Sequence, residues 1–412
     1  MPKITSVKGR LVYNSRGSKT IEIDIISDKR YLGRACAPSG ASVGKYEAQS
    51  FADNKPEKSL QILNKNIKKF IGLDSNDLKS IQSQIRKIDN TPNYSKIGGA
   101  VAYSLTIAAT DSAAKALDEP MFKIISQTKR PKFPFPLGNI LGGGAHAGPG
   151  TPDIQEILIC SIGAKSPREA IERNFAVHRE LGKLLQESDS RFTSGRGDEG
   201  GWAPQMDNEE ALEISAKACE RLGYTLGKEV ALGVDFASST QWDEKRKKYV
   251  YERAGFENTP EEQIDFASNI IKKYKLIYAE DAVHEEAFSE MATIRKKFPR
   301  TYVTGDDLTV TNPKILKKAI AKKSCSGVIL KVNQAGSLYD ALEFAQIATK
   351  NKIGIITSHR SGESTDHQIS HIGVATGSKM LQVGVLGGER VSKLNELIRL
   401  SEHSLISGMA EV

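Results

Sequence analysis

The sequence predicts an α/β protein whose C-terminal part is a closed barrel of strand–helix units. Short apolar runs alternate with amphipathic helical stretches from about residue 154 onwards, which is the pattern of parallel βα units. The roughly 270 residues available there fit a closed barrel better than an open sheet. Carboxylates and a lysine fall at the ends of successive apolar runs, where a barrel would gather them on one face.

The N-terminal segment has a different pattern. Residues 3–35 alternate between apolar and polar residues, as in TIEIDII (20–26), and predict a short antiparallel sheet. From about residue 55 to residue 125 the pattern is helical and ends in GAVAYSLTIAATDSAAKAL (99–117), whose small residues suit a tightly packed helix. We therefore assign residues 1–125 to an α+β domain that caps the barrel, 126–135 to a linker, and 136–412 to the barrel with its catalytic site.

The junction between the two parts is dense in proline and glycine. We interpret KRPKFPFPLGNILGGGAHAGPGTP (129–152) as a linker followed by a mobile loop. Two stretches beyond it, SPRE from Ser166 and TPEE from Thr259, have the sequence of a helix start. Each has a capping residue, then proline at the first helical position and then acidic residues. Strands are predicted at IQEILIC (154–160), VALGVDF (230–236), LIYAED (276–281), TYVTGDD (301–307), GVILKV (327–332) and KIGIITSH (352–359).

Composition excludes several classes of protein. The first ten residues carry no apolar run typical of a signal peptide, and no window reaches the roughly 18 apolar residues of a membrane helix. The four cysteines are scattered singly, without the paired spacing of a disulfide framework or zinc site. The net charge of +8 comes from residues 1–125; a solvated helix face explains it better than a nucleic-acid surface, because no aromatic-and-basic stacking pattern accompanies the basic residues. We expect a cytoplasmic protein that binds neither membrane nor nucleic acid.

Five polar side chains mark the ends of the apolar runs. Asp235, Glu280 and Asp306 each lie at or near the end of one run, Lys331 lies near the end of the next, and His359 follows the one after. A single strand-end aspartate is more often structural, and a strand lysine more often reaches to solvent. One barrel topology explains all five together, and three carboxylates form an oxygen-only site suited to Mg²⁺.

The lysine then has a chemical interpretation. A nearby divalent cation favours the neutral form of lysine, and neutral lysine is a base. The metal would stabilise the anion that the base creates. The expected chemistry is proton abstraction next to a carboxylate or carbonyl group.

Further motifs are ambiguous by themselves. GRGDEGGWAP (195–204) places Glu199 between glycines, as a ligand site or an ordinary acidic turn would. SHRSGES (358–364) has Arg360 and Ser361, which suit a phosphate group but also a solvated loop. His367 and His371, four residues apart on a predicted helix, could share a metal but are interpreted as surface histidines.

The chain resembles the enolase family over essentially its full length. The matching stretches include NSRGSKTIEIDI, APSGASVGKYEA, GGGAHAG, GDEGGWAP, GDDLTVTNP, LKVNQAGSL, SHRSGES and GGERVSKLNELIRL, in the family's order. GVLGGER is most similar to archaeal members. The resemblance implies a modified C-terminal (β/α)8 barrel behind a small N-terminal α+β domain, in a homodimer or larger oligomer. It also implies Mg²⁺-dependent interconversion of 2-phosphoglycerate and phosphoenolpyruvate, with two Mg²⁺ ions when substrate is bound.

The resemblance also implies roles for individual residues. Lys331 matches the base that takes the C2 proton, and Glu199 matches the acid that helps the C3 hydroxyl leave, with Glu156 beside it. The implied metal ligands are Asp235, Glu280, Asp306 and, when substrate arrives, Ser42. The implied substrate contacts are His146, Gln155, Glu156, Lys331, His359, Arg360, Ser361 and the residue at position 382.

Position 382 departs from the family pattern. A substrate-contacting lysine is expected there, and this chain has Gln382. Smaller departures are Ala282 for proline and Trp202 for a smaller residue. The alternatives are an enolase-like protein with another carboxylate substrate or reduced or lost activity, and, from another class, a binding protein using its basic N-terminal face. Lys379, three residues earlier, is a candidate to restore the charge.

Overall fold

The computed structural model describes residues 1–40, 44 and 46–412. Its N-terminal part is an antiparallel sheet in the order β1 (Ile4–Tyr13), β2 (Lys19–Ser27) and β3 (Tyr31–Cys36). The helices are α1 (Pro56–Asn66), α2 (Leu78–Ile88), α3 (Gly99–Ala116) and α4 (Met121–Ile124). The predicted antiparallel sheet and packed helix are both confirmed.

Helix α3 is the centre of this part because its small residues let it approach the sheet closely. It is buried along almost its whole length and packs on β2 and β3. At Gly33 of β3, a Cβ atom would lie 2.0 Å from the carbonyl oxygen of Ala108, so no side chain fits there.

The C-terminal part is a closed barrel, which confirms the predicted fold class. Over the described residues the strand order is β10–β11–β12–β13–β14–β4–β5–β6. The bounds are β4 (Phe135–Gly142), β5 (Glu156–Cys160), β6 (Ala231–Asp235), β10 (Tyr278–Glu280), β11 (Tyr302–Gly305), β12 (Gly327–Leu330), β13 (Gly354–Ser358) and β14 (Met380–Gln382). A small sheet of β7 (Trp242–Asp243), β8 (Lys248–Tyr251) and β9 (Phe256–Asn258) is inserted after β6.

Helices link the barrel strands. They are α5 (Pro167–Ser188), α6 (Asn208–Arg221), α7 (Pro260–Lys273), α8 (Phe288–Lys297), α9 (Pro313–Lys322), α10 (Val332–Ala335), α11 (Leu338–Lys350), α12 (Gln368–Ala375) and α13 (Gly388–Leu400). The capping residues Ser166 and Thr259 accept hydrogen bonds from the third residues of α5 and α7, as their sequences predict. Within the described part of the chain, no helix is both long and apolar enough to span a membrane.

Two features of the barrel differ from the sequence prediction. Strand β5 pairs antiparallel with both β4 and β6, so the strands are not all parallel. Strand β4 lies inside the Pro- and Gly-rich stretch that was interpreted as linker and loop. Its glycines give it room between neighbours, since a Cβ on Gly138 would lie 2.7 Å from Val385 Cγ2.

The barrel interior is packed, and this places the polar groups at one end. Apolar side chains from several strands, including Leu137, Leu158, Ile329 and Met380, form a buried cluster within it. Polar residues lie at the C-terminal ends of the parallel strands and at the N-terminal end of the reversed strand β5. These ends meet on one face, where barrel sites are built.

Candidate active site

Barrel register brings the predicted metal ligands together. Asp235 and Glu280 are the last residues of β6 and β10 and lie directly opposite each other in the ladder. Asp306 follows the last residue of β11. Glu156, the first residue of the reversed strand β5, pairs with Asp235 from the other side. Four carboxyl groups thus line one buried cavity.

This carboxylate cluster fits a divalent cation. Burial and the neighbouring Glu280 raise the pKa of Asp235, and burial together with Asp306 raises the pKa of Glu280 to about 7. Burial disfavours the charged carboxylates and their mutual repulsion adds to this, so a bound cation would stabilise the cluster. Oxygen atoms of Glu280, Asp281 and Asp306 lie within 4.8 Å of one another. An all-oxygen donor set of this kind suits Mg²⁺.

Asp281 is an acidic residue that the sequence reasoning missed. Its two carboxylate oxygens accept hydrogen bonds from the backbone N–H groups of Asp306 and Asp307, at 3.1 and 2.7 Å. It therefore fixes the turn that carries Asp306. The sequence signal that could have identified Asp281 is its position directly after Glu280 in AEDA.

Lys331 directly follows β12, and its side chain reaches the same carboxylate cluster. Its ammonium group forms an ion pair with Asp306, and both side chains are almost buried. Burial lowers the pKa of Lys331, but Asp306 outweighs this and the pKa is raised. In this state the lysine is protonated, so the neutral form expected of a base requires that Asp306 be engaged by another cation.

Glu156 also forms a carboxyl pair with Glu199, which lines the same cavity. Glu156 and Glu199 are both buried, and His146 Nδ1 lies 3.0 Å from Glu156 Oε1 and 3.8 Å from Glu199 Oε1. Burial, then the charges of Glu199 and Glu280, raise the pKa of Glu156 well above its usual range. Both causes favour the protonated form of Glu156.

The predicted anion-binding residues lie after β13. His359, Arg360 and Ser361 are all buried and line the cavity. Arg360 forms an ion pair with Glu47, with its two terminal nitrogens 3.1 and 3.4 Å from the carboxylate oxygens. Glu47 was missed because GKYEA carries no strand-end signal.

Gln334 joins the anion-binding residues to the carboxylate cluster. Its amide nitrogen donates to Asp306 Oδ1 at 2.9 Å and lies 3.4 Å from Glu47 Oε1. The amide oxygen of Gln334 accepts from Thr311 Oγ1 at 2.8 Å, which fixes its orientation. The link Asp306–Gln334–Glu47–Arg360 thus crosses the site.

Gln382 is buried at the end of β14, inside the cavity. Its amide nitrogen lies 3.2 Å from an oxygen of Glu156 and 3.2 Å from an oxygen of Glu280. Its amide oxygen has no hydrogen-bond partner among the described residues. Lys379 precedes the first residue of β14, at the opposite end of that strand. Lys379 is not among the described residues that line the cavity, so its ammonium group is not placed to supply the charge that Gln382 lacks.

The remaining predicted residues are placed as follows. Gln155 lines the cavity and donates to Asp235 Oδ2 at 3.0 Å. Ser42 lies outside the described residues. Trp202 packs in a stack with His178, at 4.6 Å between ring centroids, behind the loop that carries Glu199.

Comparisons with known proteins agree with this geometry. Residues 131–409 match the family model "Enolase, C-terminal TIM barrel domain", and residues 4–125 match "Enolase, N-terminal domain". The chain is 42% identical to the enolase of Methanosphaera stadtmanae over 411 residues, which is 99% of each chain. It is 39% identical to the enolases of Methanothermobacter thermautotrophicus, covering 99% of each, and Archaeoglobus fulgidus, covering 97% of each. This chain belongs to the enolase family.

Proposed function

We propose that this protein catalyses the reversible, Mg²⁺-dependent dehydration of 2-phospho-D-glycerate to phosphoenolpyruvate in glycolysis and gluconeogenesis. The observation that carries the proposal is one buried cavity that holds a lysine, a cluster of strand-end carboxylates and the neighbouring carboxyl pair of Glu156 and Glu199. Elimination of water next to a carboxylate needs these three parts: a base at C2, charge stabilisation at the carboxylate, and an acid at C3.

Lys331 is the proposed base. Its Nζ takes the C2 proton once Asp306 no longer holds the ammonium form. Asp235, Glu280 and Asp306 are the proposed ligands of Mg²⁺, with Ser42 joining a second ion when substrate is bound. Bound there, Mg²⁺ supplies positive charge that stabilises the extra negative charge on the substrate carboxylate after C2 deprotonation.

Glu199 and Glu156 are the proposed acid side of the site. The proton that Glu156 holds passes through the pair to the C3 hydroxyl, which then leaves as water. Burial matters here, because a carboxyl group in a dry site keeps its proton near neutral pH and can donate it. His146 and Gln155 position this side of the substrate.

Arg360 and Ser361 are the proposed phosphate-binding groups, with His359 beside them. Guanidinium and hydroxyl groups match phosphate oxygens well. Glu47 holds Arg360 in place before the substrate arrives. Because Gln334 joins Glu47 to Asp306, the phosphate and metal ends of the site are fixed relative to each other.

A second candidate function follows from Gln382. Its buried amide oxygen lacks a partner among the described residues, and such an acceptor favours a ligand with a hydroxyl or N–H donor at this point. An enolase relative acting on a different carboxylate substrate, or with reduced activity on 2-phosphoglycerate, would fit this feature.

We extend the proposal to domain organisation, assembly and location. Residues 1–125 form the capping domain, 126–135 the linker and 136–412 the catalytic barrel of a cytoplasmic homodimer or larger oligomer. The separate matches of residues 4–125 and 131–409 support the boundary. Sedimentation velocity measures the assembly state, and a concentration-independent monomer would contradict it.

The direct test is absorbance of phosphoenolpyruvate formed from 2-phosphoglycerate by the purified chain. We expect turnover with Mg²⁺, none in excess EDTA, and recovery when Mg²⁺ is added back. Full turnover in excess EDTA would contradict the proposed requirement for Mg²⁺. Folded protein with no turnover under any metal condition would favour the second candidate.

A further inference from the structure

Arg390 is a buried charged residue that neither the sequence reasoning nor the proposed chemistry uses. It is the third residue of α13 and is fully buried. Its guanidinium donates to the backbone oxygens of Arg360 and Ser361, both at 2.6 Å, and to that of Asp198 at 3.0 Å. It thus joins the loop after β13 to the loop that carries Glu199.

The same guanidinium also contacts the ring of His359. Arg390 donates to Nδ1 of His359 at 2.7 Å, and the backbone N–H of Gly384 points at this nitrogen from 3.4 Å. A guanidinium has only donors and is always charged, and a backbone N–H is also only a donor. Nδ1 therefore accepts and carries no proton. A doubly protonated ring is excluded, because its Nδ1–H would face two donors.

The proton of the neutral ring is then on Nε2, the nitrogen on the Glu199 side. His359 Nε2 lies 3.1 Å from Glu199 Oε2, although the two are not aligned for a hydrogen bond in this state. Catalytic hydrogen bonds often align only when substrate is bound. Burial is the largest cause and lowers the pKa of His359; with the charge of Arg390 it outweighs the opposing charge of Glu199, which agrees with a neutral ring.

We propose that Arg390 is a positioning residue that holds His359 as the Nε2–H tautomer directed at Glu199. When substrate aligns the two groups, the ring donates to Oε2 of Glu199 and leaves Oε1, the oxygen nearer His146, to exchange the proton of the acid pair. The catalytic consequence rests on the proposed function, whereas the tautomer itself does not.

The wild-type protein tests the tautomer directly. Histidine labelled with ¹⁵N gives distinct ring shifts for bare and protonated nitrogens, and loss of one spin system in His359→Gln assigns the ring. We expect a bare Nδ1 and a protonated Nε2 throughout pH 6–8. An Nδ1–H tautomer or an imidazolium would overturn the proposal, whether or not the protein dehydrates 2-phosphoglycerate.

Arg390→Lys tests the positioning role, with Arg399→Lys as the matched control on the same helix. Arg399 is exposed and pairs with Glu396, away from the site. We expect Arg390→Lys to change the His359 ring shifts and lower kcat by about tenfold or more with little change in KM, a loss of transition-state stabilisation. The control should match wild type in both readouts. Lower kcat with unchanged ring shifts would show a purely structural role for Arg390 and overturn the positioning claim. If the variant is insoluble, the wild-type spectrum decides whether His359 is the Nε2–H tautomer.

Discussion

Replacing Gln382 with lysine should raise catalytic efficiency. The family resemblance implies a lysine at this position, and the structure places Gln382 where an ammonium group would contact two buried carboxyl groups. Its amide nitrogen is 3.2 Å from both Glu156 and Glu280. A lysine side chain is one bond longer than glutamine, so Gln382→Lys should bring its ammonium group within reach of these carboxyl groups.

The expected gain follows from charge. A charge-assisted hydrogen bond contributes roughly 1.5–3 kcal/mol against about 1 kcal/mol for a neutral one. The difference of roughly 0.5–2 kcal/mol corresponds to about a twofold to thirtyfold change at ~1.4 kcal/mol per factor of ten. It acts mainly in the transition state, because the substrate gains negative charge as C2 loses its proton. Lysine also removes the buried amide oxygen of Gln382 that lacks a described partner.

The assay is kcat/KM on 2-phosphoglycerate at saturating Mg²⁺, with two control variants. Gln382→Met keeps the length but removes donor and charge, and should lower activity. Lys379→Met should leave activity unchanged, since Lys379 lies at the far end of β14. No gain in folded Gln382→Lys would refute the charge argument, and loss of activity in Lys379→Met would show that Lys379 reaches the site after all.

Two further predictions concern the metal cluster and the outer face of the barrel. Asp306→Asn should weaken Mg²⁺ binding, because a neutral amide holds a hard cation less well than a carboxylate; unchanged affinity by calorimetry would contradict the assignment. Burial raises the pKa of Glu396, but the hydrogen bond from His371 and nearby charges outweigh this and bring it to about 2. Because the folded pKa is depressed, this stabilisation is present above about pH 4.5 and disappears towards pH 2. Glu396→Gln should therefore lower the free energy of unfolding at pH 6 by up to roughly 3 kcal/mol, and urea titrations should show the difference shrinking by pH 3. A constant difference would contradict it.

The parts of the fold that the sequence predicted are those with long periodic signals. The alternation of residues 3–35 and the apolar runs before Asp235, Glu280 and Asp306 all correspond to strands. Strand β14 has three residues and β4 is interrupted by proline and glycine, so neither gives a run that stands out. An apolar run also carries no direction, which is why the reversal of β5 was not predicted.

The candidate site was predictable where it lies at strand ends. Glu47, Gln334 and Arg390 could not be predicted, because they reach their partners only through tertiary contacts. The interpretation of His371 as a surface residue is wrong. His371 is buried: its Nδ1 accepts from the backbone N–H of Phe122, and its Nε2 contacts Glu396. The spacing of residues along the helix could not predict this burial, because the residues that cover the ring come from other elements.

The central claim is that Lys331 removes the C2 proton while the carboxyl pair acts separately at C3. Deuterium incorporation at C2 of 2-phosphoglycerate in D₂O, followed by NMR, tests it directly. We predict that Lys331→Ala abolishes both exchange and dehydration, whereas Glu199→Gln retains exchange and blocks dehydration, because exchange needs only the base. Exchange that persists in folded Lys331→Ala would place the base elsewhere and contradict the account.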